Sequence, residues 1–433
     1  MSWGTSAEVV IQIPIVVQII TPVGQSVSPT IPRRPRKNMK VYNLSNYTRI
    51  RPHKLPADEV PHLVIETNKT CNVMCADCYS LDRDFVKSLD EVKAEIDLGM
   101  QKRNLESISL LGGEPTLHPD IVEIVKYVKS KRLTCILLTN GLKFLQDKTD
   151  SQLDALLTAG LDRVLVHMDE GQQHVHESVD EARQDLFQRL DQKKIYFAIS
   201  ATVRAGDEDS FTRLLLDNTK YRLFDGVLAT LAVDIEKFYH RDAVQENKPS
   251  LRKLCENISR SLHVDATTYI PSSLDDDEVA WVMYMYYINA ESGHTFGLSP
   301  EVNAWFRKLY RRLYSRHLFA QTSDPRFASI WTLLCCGFEL LRHPGRLAEC
   351  IRLFRRSRLT RDIRFQSIVL QHLPRYNVER DQVEICYHCP DATIRNGRIT
   401  PVCIADQLNP LGDRAPHAPQ DVIDAIYQHL EEQ

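Results

Sequence analysis

The sequence predicts an α/β protein whose main part is a partial (β/α)6 TIM-like barrel, followed by a helical region and a small C-terminal cysteine-rich extension. From residue 61 onward, short apolar runs alternate with helical patterns, which is typical of βα units around a parallel sheet. Six such units fit into residues 61–240. A full barrel needs eight units and roughly 250 residues, so an open six-unit barrel fits better.

The six predicted strands are short apolar runs that each end at a turn signal. They are Leu63–Thr67, Ser107–Leu111, Thr134–Leu138, Arg163–Met168, Tyr196–Arg204 and Gly226–Asp234. Helices are predicted between them, among them one near Val86–Lys102, one that begins near Asp120, and one over Ser151–Ala159 with Gly160 as its C-cap.

The segments outside the barrel differ from it in composition. Residues 1–38 combine an apolar patch, Val9–Ile20, with a basic run, and we expect them to be disordered or artefactual, with Met39 as the true start. The patch is too short for a membrane span and lacks the preceding basic residues of a signal peptide. We expect a lead-in over 39–60, a mainly helical region over 241–375, the cysteine-rich segment over 376–410 and a C-terminal helix over 411–433.

Two features of the helical region bear on function. The run Trp281–Ile288 is apolar without clear alternation, and we interpret it as a buried helix that closes the open side of the barrel. The alternative is an aromatic wall that faces a substrate. Between Glu301 and Arg364, 14 basic residues stand against 5 acidic ones, and all but Lys308 are arginines. They read first as a solvated helix face, although arginine also suits phosphate or carboxylate recognition.

Charge and cysteine content narrow the class of protein. The net charge is −3, so no global basic field indicates a nucleic-acid partner. Eleven cysteines are present, and many are clustered rather than spread as a disulfide framework. Clustered cysteines in a long chain read as metal ligands in a reducing compartment, and we therefore expect the cytoplasm.

The densest cluster is Cys71-x3-Cys75-x2-Cys78, directly after the first predicted strand. A closed tetrahedral zinc site needs a fourth ligand, and no fourth cysteine is near. Three thiolates can instead hold three irons of a [4Fe–4S] cluster and leave the fourth iron open for a small ligand. The spacing by itself also fits a zinc knuckle.

Polar and glycine residues follow the other strands at the same face. Gly112-Gly113-Glu114-Pro115 follows the second strand, Asn140 the third and Asp169 the fourth, and Thr202 lies near the end of the fifth. The carboxyl ends of barrel strands form the working face of such folds. We therefore expect these residues to meet the three cysteines there.

Together these motifs resemble those of the radical S-adenosylmethionine (SAM) superfamily over about residues 61–240. The resemblance implies a [4Fe–4S] cluster on Cys71, Cys75 and Cys78, with SAM on its open iron. It also implies roles in SAM binding: Gly112, Gly113, Glu114 and Pro115 at the methionine ammonium, Asp169 at the ribose, and Asn140 and Thr202 along the nucleoside pocket. Asp77 departs from the family, which usually has an aromatic residue before the third cysteine; here Tyr79 follows it.

The activity implied by the resemblance is reductive cleavage of SAM. Flavodoxin or ferredoxin is the expected electron donor, and the resulting 5′-deoxyadenosyl radical abstracts hydrogen from a substrate. The substrate stays open among a peptide or protein side chain, a phosphate-bearing lipid or isoprenoid, and another small molecule. A substrate at a membrane surface is one of the open alternatives. The competing hypothesis is a non-enzymatic zinc or iron–sulfur protein for scaffolding or electron transfer.

A second cysteine group, Cys386-x2-Cys389 and Cys403, flanks a turn signal at Asn396-Gly397. It resembles the SPASM or twitch extensions that carry an auxiliary iron–sulfur cluster, and zinc or unliganded thiols are the alternatives. The fourth ligand stays open, and the candidates are Cys335, Cys336, Cys350 and His388. Cys135 and Cys255 are expected to be structural.

Overall fold

The computed structural model describes residues 50–75, 77–80, 83–168, 172, 175–232, 249–276, 278–317, 325–355, 362–411 and 418–432. The expected N-terminal extension, 1–38, and the predicted site residue Asp169 lie outside these ranges. Within them, no helix has the length and apolar character needed to cross a bilayer.

A sheet of eleven strands organises the described residues. Its strands are β1 (Arg51–Pro52), β2 (His62–Glu66), β3 (Ser107–Leu111), β4 (Thr134–Thr139), β5 (Arg163–His167), β6 (Tyr196–Val203), β7 (Phe224–Leu231), β8 (Thr268–Pro271), β9 (Val279–Asn289), β10 (Thr295–Gly297) and β11 (Ile363–His372). Strands β2 to β7 are parallel and pair in chain order. The predicted partial barrel of six βα units is therefore confirmed.

The outer face of these strands carries the main apolar core. Successive side chains of a strand point to opposite faces of the sheet, so every second residue faces the helices. Ile108, Leu110 and Val164 are fully buried on that side. The helices against that face are α1 (Leu89–Lys102), α2 (Ile121–Ser130), α3 (Leu142–Gln146), α4 (Ser151–Thr158), α5 (Val179–Gln192), α6 (Glu208–Asn218) and α7 (Leu251–Leu262). Ser88 begins α1 with a capping box that includes Glu91.

The prediction of a buried helix over Trp281–Ile288 is wrong. These residues belong to β9, which pairs with β8 and β11, and all eleven of its residues are buried. A strand covered on both faces needs no polar alternation, so its sequence reads as a continuous apolar run. Residues 241–375 thus hold strands β8 to β11 as well as α7 and the helices α8 (Pro300–Tyr314), α9 (Pro325–Arg342) and α10 (Leu347–Phe354).

Strand β11 widens the barrel wall. It is parallel to β7, with Ile368 opposite Val227, and antiparallel to β9 on its other side. The inner face of the sheet therefore gains residues from β9 and β11 that the six-unit prediction did not include.

The described part of the C-terminal extension contains two hairpins and two α-helices. They are β12 (Arg375–Asn377) with β13 (Gln382–Glu384), β14 (Ala392–Arg395) with β15 (Arg398–Pro401), α11 (Ala405–Leu408) and α12 (Gln420–Glu432). Asn396 and Gly397 join β14 to β15 with φ values of 46° and 75°. Positive φ at both central residues is the geometry of a tight hairpin turn, so the turn predicted at this dipeptide is confirmed.

Four buried charges join the extension to the barrel. Lys69 Nζ lies 2.5 Å from Glu66 Oε1 and 2.6 Å from Asp406 Oδ1. Arg395 Nη2 lies 2.5 Å from Glu66 Oε2 and 3.0 Å from Asp406 Oδ1. All four side chains are at most 2% exposed. Two cations therefore share two carboxylates, one from the end of β2 and one from α11.

The network affects stability through the Glu66 carboxylate. Burial by itself raises the pKa of Glu66, but Arg395, Lys69 and Lys87 lower it to about 2. The pKa is then lower in the folded than in the unfolded chain, so the folded state gains stability at neutral pH. That contribution is lost as the pH falls through about 4 towards 2.

We predict that Arg395→Ala lowers the free energy of unfolding by about 3–5 kcal/mol, because it leaves the buried carboxylates of Glu66 and Asp406 with Lys69 as their shared ion-pair partner. The matched control is Arg398→Ala, at the opposite position of the same hairpin, where the side chain is 55% exposed. It should cost under about 1 kcal/mol. Urea unfolding followed by circular dichroism measures both, and equal losses would contradict the assigned role of the network.

Candidate active site at the carboxyl ends of the strands

A cavity of about 150 Å³ lies at the carboxyl ends of the parallel strands. It brings together most of the predicted site residues, namely Cys71, Cys75, Cys78, Gly112, Gly113, Asn140 and Thr202. Residues of β7 and β11 and of the C-terminal extension, including Asp391 and Cys403, complete its lining. The cavity therefore reaches from the first cysteine loop to one cysteine of the second group.

Gly112 and Gly113 pack directly on the backbone that leads into the cysteine loop. A Cβ atom on Gly112 would lie 2.3 Å from the carbonyl oxygen of Asn68, and one on Gly113 would lie 2.3 Å from that of Lys69. The amide of Gly113 donates to Asn68 O at 2.8 Å. Only glycine allows so close an approach, and the two loops are thereby fixed to each other.

Glu114 lies behind the cavity rather than in its lining. Its carboxylate is fully buried and accepts hydrogen bonds from both the amide and the hydroxyl of Thr116, from Thr139 Oγ1 and from the amide of Asn140, at 2.6–3.0 Å. Burial raises the pKa of Glu114, although these donors oppose the shift. The carboxylate thus ties the loop after β3 to the end of β4. Pro115 also lies behind the cavity and begins a short 3-10 helix, Pro115–Leu117.

Asn140 links the hydrogen-bond network of Glu114 to the first cysteine, Cys71. Its side-chain nitrogen donates to Asn72 Oδ1 at 2.8 Å and lies 3.8 Å from the sulfur of Cys71. Its side-chain oxygen accepts from the amide of Leu142. Asn140 is therefore oriented at both ends of its amide and presents N–H to the cysteine sulfur.

Sequence reasoning missed Arg83, a cation that interacts with the three loop cysteines. Burial lowers the pKa of Arg83, but the charge of the three loop thiolates raises it more, and the net shift is upward. Burial also raises the pKa of the Cys71 thiol. Arg83 places a positive charge beside a group of ligands that become negative when they bind metal. A single arginine five residues after Cys78 carries no signal that spacing could reveal.

The departure at Asp77 has a structural explanation. Asp77 forms an ion pair with Arg204, which follows β6, and both side chains line the cavity. The pair joins the cysteine loop to the end of β6 at the position where the family usually has an aromatic residue. Tyr79, on the other side of Cys78, also lines the cavity.

The thiols do not converge as the ligands of one ion would. Among the residues that the structure describes, no set of three or more His, Cys, Asp and Glu side chains is arranged to hold a single metal ion. Cys71, Cys75 and Cys78 are half-buried and share one cavity. A four-iron cube holds its cysteines around a larger body than one zinc ion does, so a cavity lined by three separate thiols suits a cluster.

The second cysteine group is buried within the extension. The thiols of Cys386 and Cys389 are hydrogen-bonded to each other, and Cys403 lies near enough to Cys389 that their charges interact. Burial raises the pKa of Cys403 and of Cys389. The hairpin β14–β15 returns the chain towards the first two cysteines, as the turn signal predicts.

Most of the candidates for a fourth ligand lie elsewhere. Cys335, Cys336 and Cys350 belong to a separate apolar cluster with Trp331, and Cys336 is hydrogen-bonded to Cys350. The structure therefore groups these three with one another and not with the second cysteine group. His388 is adjacent to Cys389 in the chain, and its Nδ1 lies 2.6 Å from the carbonyl oxygen of Leu55. Cys135 and Cys255 are buried in the main core, as expected of structural cysteines.

Comparison with known proteins identifies the central part of the chain. Residues 65–196 match the model of the radical SAM superfamily. This chain carries a radical SAM domain. A GTP 3′,8-cyclase of Chlorobaculum tepidum is 31% identical over 140 residues, which are 30% of this chain and 39% of that protein. A probable GTP 3′,8-cyclase of Methanococcus aeolicus is 24% identical over 226 residues, which are 47% of this chain and 74% of that protein.

The matches with these relatives are partial. The chain spans only 34–39% of the length of several of these relatives. Among solved structures, SuiB of Streptococcus suis bound to SAM is 15% identical, with a TM-score of 0.39, over 48% of each chain. The superfamily implies a [4Fe–4S] cluster and SAM as cofactors, and the cysteine cavity described above has the donor set that the cluster requires.

We predict that Gly113→Ala displaces the cysteine loop and costs about 1–3 kcal/mol, because the added methyl group meets two backbone carbonyls. Hydrogen exchange should increase over residues 68–80. The control is Gly337→Ala, in α9, where a Cβ meets no atom within 4 Å and helix propensity favours alanine. Unchanged exchange in Gly113→Ala would show that the loop does not depend on this contact.

Proposed function

We propose that the protein is a radical SAM enzyme that cleaves SAM reductively and abstracts hydrogen from a substrate. The substrate is held in the cavity at the carboxyl ends of the strands, here called the upper cavity. The single observation that supports this most strongly is the common cavity of the three loop cysteines, Gly112, Gly113, Asn140 and Thr202. A non-enzymatic metal protein has no use for a cavity at the working face of a barrel, although its cysteines could be the same.

In this proposal Cys71, Cys75 and Cys78 hold the cluster. When bound and reduced, the cluster supplies the electron that breaks the S–C5′ bond of SAM, giving methionine and the 5′-deoxyadenosyl radical. Gly112 and Gly113 offer backbone carbonyls to the methionine ammonium, while Asn140 and Thr202 line the nucleoside part. Arg83 offsets the negative charge of the thiolate ligands. Asp169 stays a proposal for the ribose hydroxyls, from its position after β5.

The hydrogen bonds of Glu114 favour a role different from direct contact with the methionine ammonium, which the family resemblance implies. Its carboxylate already accepts four hydrogen bonds from Thr116, Thr139 and Asn140, so it has little capacity left for an ammonium group. We propose that it acts as a positioning residue, which holds Asn140 and the glycine loop in the geometry that SAM requires.

We further propose that Cys386, Cys389 and Cys403 hold an auxiliary iron–sulfur cluster in a SPASM- or twitch-like extension. Cys403 lies in the lining of the upper cavity, and the substrate would then sit between the two metal sites. The relatives named GTP 3′,8-cyclase make a nucleotide one candidate substrate. Because this chain spans only 34–39% of the length of several of these relatives, a peptide side chain and a phosphate-bearing lipid or isoprenoid stay equal candidates.

Two further parts of the proposal concern the setting of the enzyme. Flavodoxin or ferredoxin is the proposed electron donor, since a one-electron carrier must reach the cluster. The cytoplasm is the proposed compartment, and none of the eleven cysteines forms a disulfide.

The decisive experiment is anaerobic reconstitution with iron and sulfide, followed by reduction in the presence of SAM. We predict 5′-deoxyadenosine from the intact protein and none from Cys75→Ala, which should still retain the iron of the second cysteine group. Cys255→Ala, in the main core away from the cavity, is the matched control and should form the product. If zinc is bound in place of iron, or SAM leaves the EPR signal of the reduced cluster unchanged, the scaffold hypothesis is favoured.

We predict that Glu114→Ala weakens SAM binding and also lowers the free energy of unfolding of the SAM-free protein by about 2 kcal/mol or more, because buried donors lose their acceptor. Equilibrium dialysis with SAM and urea unfolding measure the two effects. Weaker binding with unchanged stability would instead indicate direct contact between the carboxylate and SAM.

A further inference from the structure

A second cavity lies inside the barrel, at the amino ends of the strands. Its volume is about 160 Å³, and it is lined from β2, β3, β4, β5, β6, β7, β9 and β11. Leu228 and Asp391 line both this lower chamber and the upper cavity. The two spaces are therefore neighbours along the barrel interior.

The lower chamber exists because the inner face carries small residues. Barrels of this type normally fill their interior with layers of branched apolar side chains. Here Ser109, Ala198, Gly226 and Ser367 occupy inward positions on four different strands. The space that they leave is bounded by apolar side chains, which include Trp281, Met283, Met285, Leu165 and Val369. The walls are thus mainly apolar.

The two arginines that line the lower chamber, Arg307 and Arg163, differ in their partners. Arg307, on α8, donates from Nη2 to Thr268 Oγ1 at 3.2 Å, while its Nε and Nη1 are buried without a hydrogen-bond partner. Among the described residues, no carboxylate forms an ion pair with it. By contrast, Arg163 is paired with Asp225 at 2.6 Å. A buried guanidinium with unused donors is costly, and an anionic ligand would satisfy it.

The titratable groups near Arg307 do not neutralise its positive charge. Burial lowers the pKa of His62 to about 3, and burial with repulsion from Arg307 lowers that of His53, so both are neutral at pH 7. Burial lowers the pKa of Arg307 only to about 10, and it stays charged. Asp391, the other acid in the lining, lies at the junction with the upper cavity and accepts from Gln371 at 3.4 Å.

We propose that the lower chamber is a binding site for a small apolar anion, whose carboxylate or phosphate pairs with Arg307 and whose apolar body lies against Trp281 and Met283. The volume limits that body, because an apolar cavity of about 150 Å³ holds one benzene molecule. The ligand therefore has an apolar part about as large as a six-membered ring. If the proposed function holds, a molecule bound here extends to the SAM cavity and is part of the substrate; that last step alone rests on the proposed function.

Isothermal titration of the full chain with two probes tests the site. The probes are 3-phenylpropanoate, a carboxylate, and benzyl phosphate, and the neutral control is 3-phenylpropan-1-ol. We expect at least one anion to bind, and the stronger probe identifies which anionic group the site prefers. Arg307→Gln should weaken that binding at least tenfold, a loss of about 1.4 kcal/mol. The matched control is Arg311→Gln, one turn further along α8, where the half-exposed arginine pairs with Glu59.

A second variant tests the proposal independently of Arg307→Gln, in case that variant does not fold. Ser109→Leu fills the chamber from its wall and should abolish binding of both anions while the far-ultraviolet circular dichroism is unchanged. Absence of binding to the wild-type chain, equal binding of the neutral alcohol, or undiminished binding in a folded Ser109→Leu variant would each overturn the proposal. The titration needs neither iron nor SAM, so a failure to cleave SAM leaves its outcome intact, and the reverse also holds.

Discussion

The contact on which the site depends is the close approach of two backbone segments, Gly112–Gly113 and Asn68–Thr70. The first segment directly follows β3, and the second leads from β2 into the cysteine loop. Because the glycines lack side chains, the two loops share hydrogen bonds that would otherwise be out of reach. Glu114 then extends this contact to the end of β4. The position of Cys71 is thus set by backbone geometry on three adjacent strands rather than by the metal it is proposed to bind.

The barrel interior contains two cavities where other barrels have closely packed side chains. Small inward residues such as Ser109 and Ala198 forgo the dispersion contacts that branched side chains would make. The fold is instead stabilised outside the sheet, where fully buried residues such as Leu110 and Val164 pack under the helices. It is also stabilised at one end by the buried charges around Lys69. Stability and function are therefore carried by opposite faces of the same strands.

The sequence was informative where a residue acts through its neighbours in the chain. The short apolar runs of β2 to β7, the glycines before Glu114 and the turn at Asn396-Gly397 all express local geometry, and each could be predicted. It was uninformative where a side chain acts across the fold. The partners of Arg395, and the donors Thr139 and Asn140 that contact Glu114, come from other elements, and no periodicity reveals them. The run in β9 failed for a third reason, because burial on both faces removes the pattern that separates a strand from a helix.

The placement of β11 has a consequence for how the chain folds. Strand β7 ends at Leu231, but the strand that covers its free edge does not begin until Ile363. Until that later segment is available, the row of unpaired amides and carbonyls along β7 stays open to any other extended chain. Closing a loop of this length before its contacts form makes folding slow, and the nascent protein is exposed to self-association during that interval.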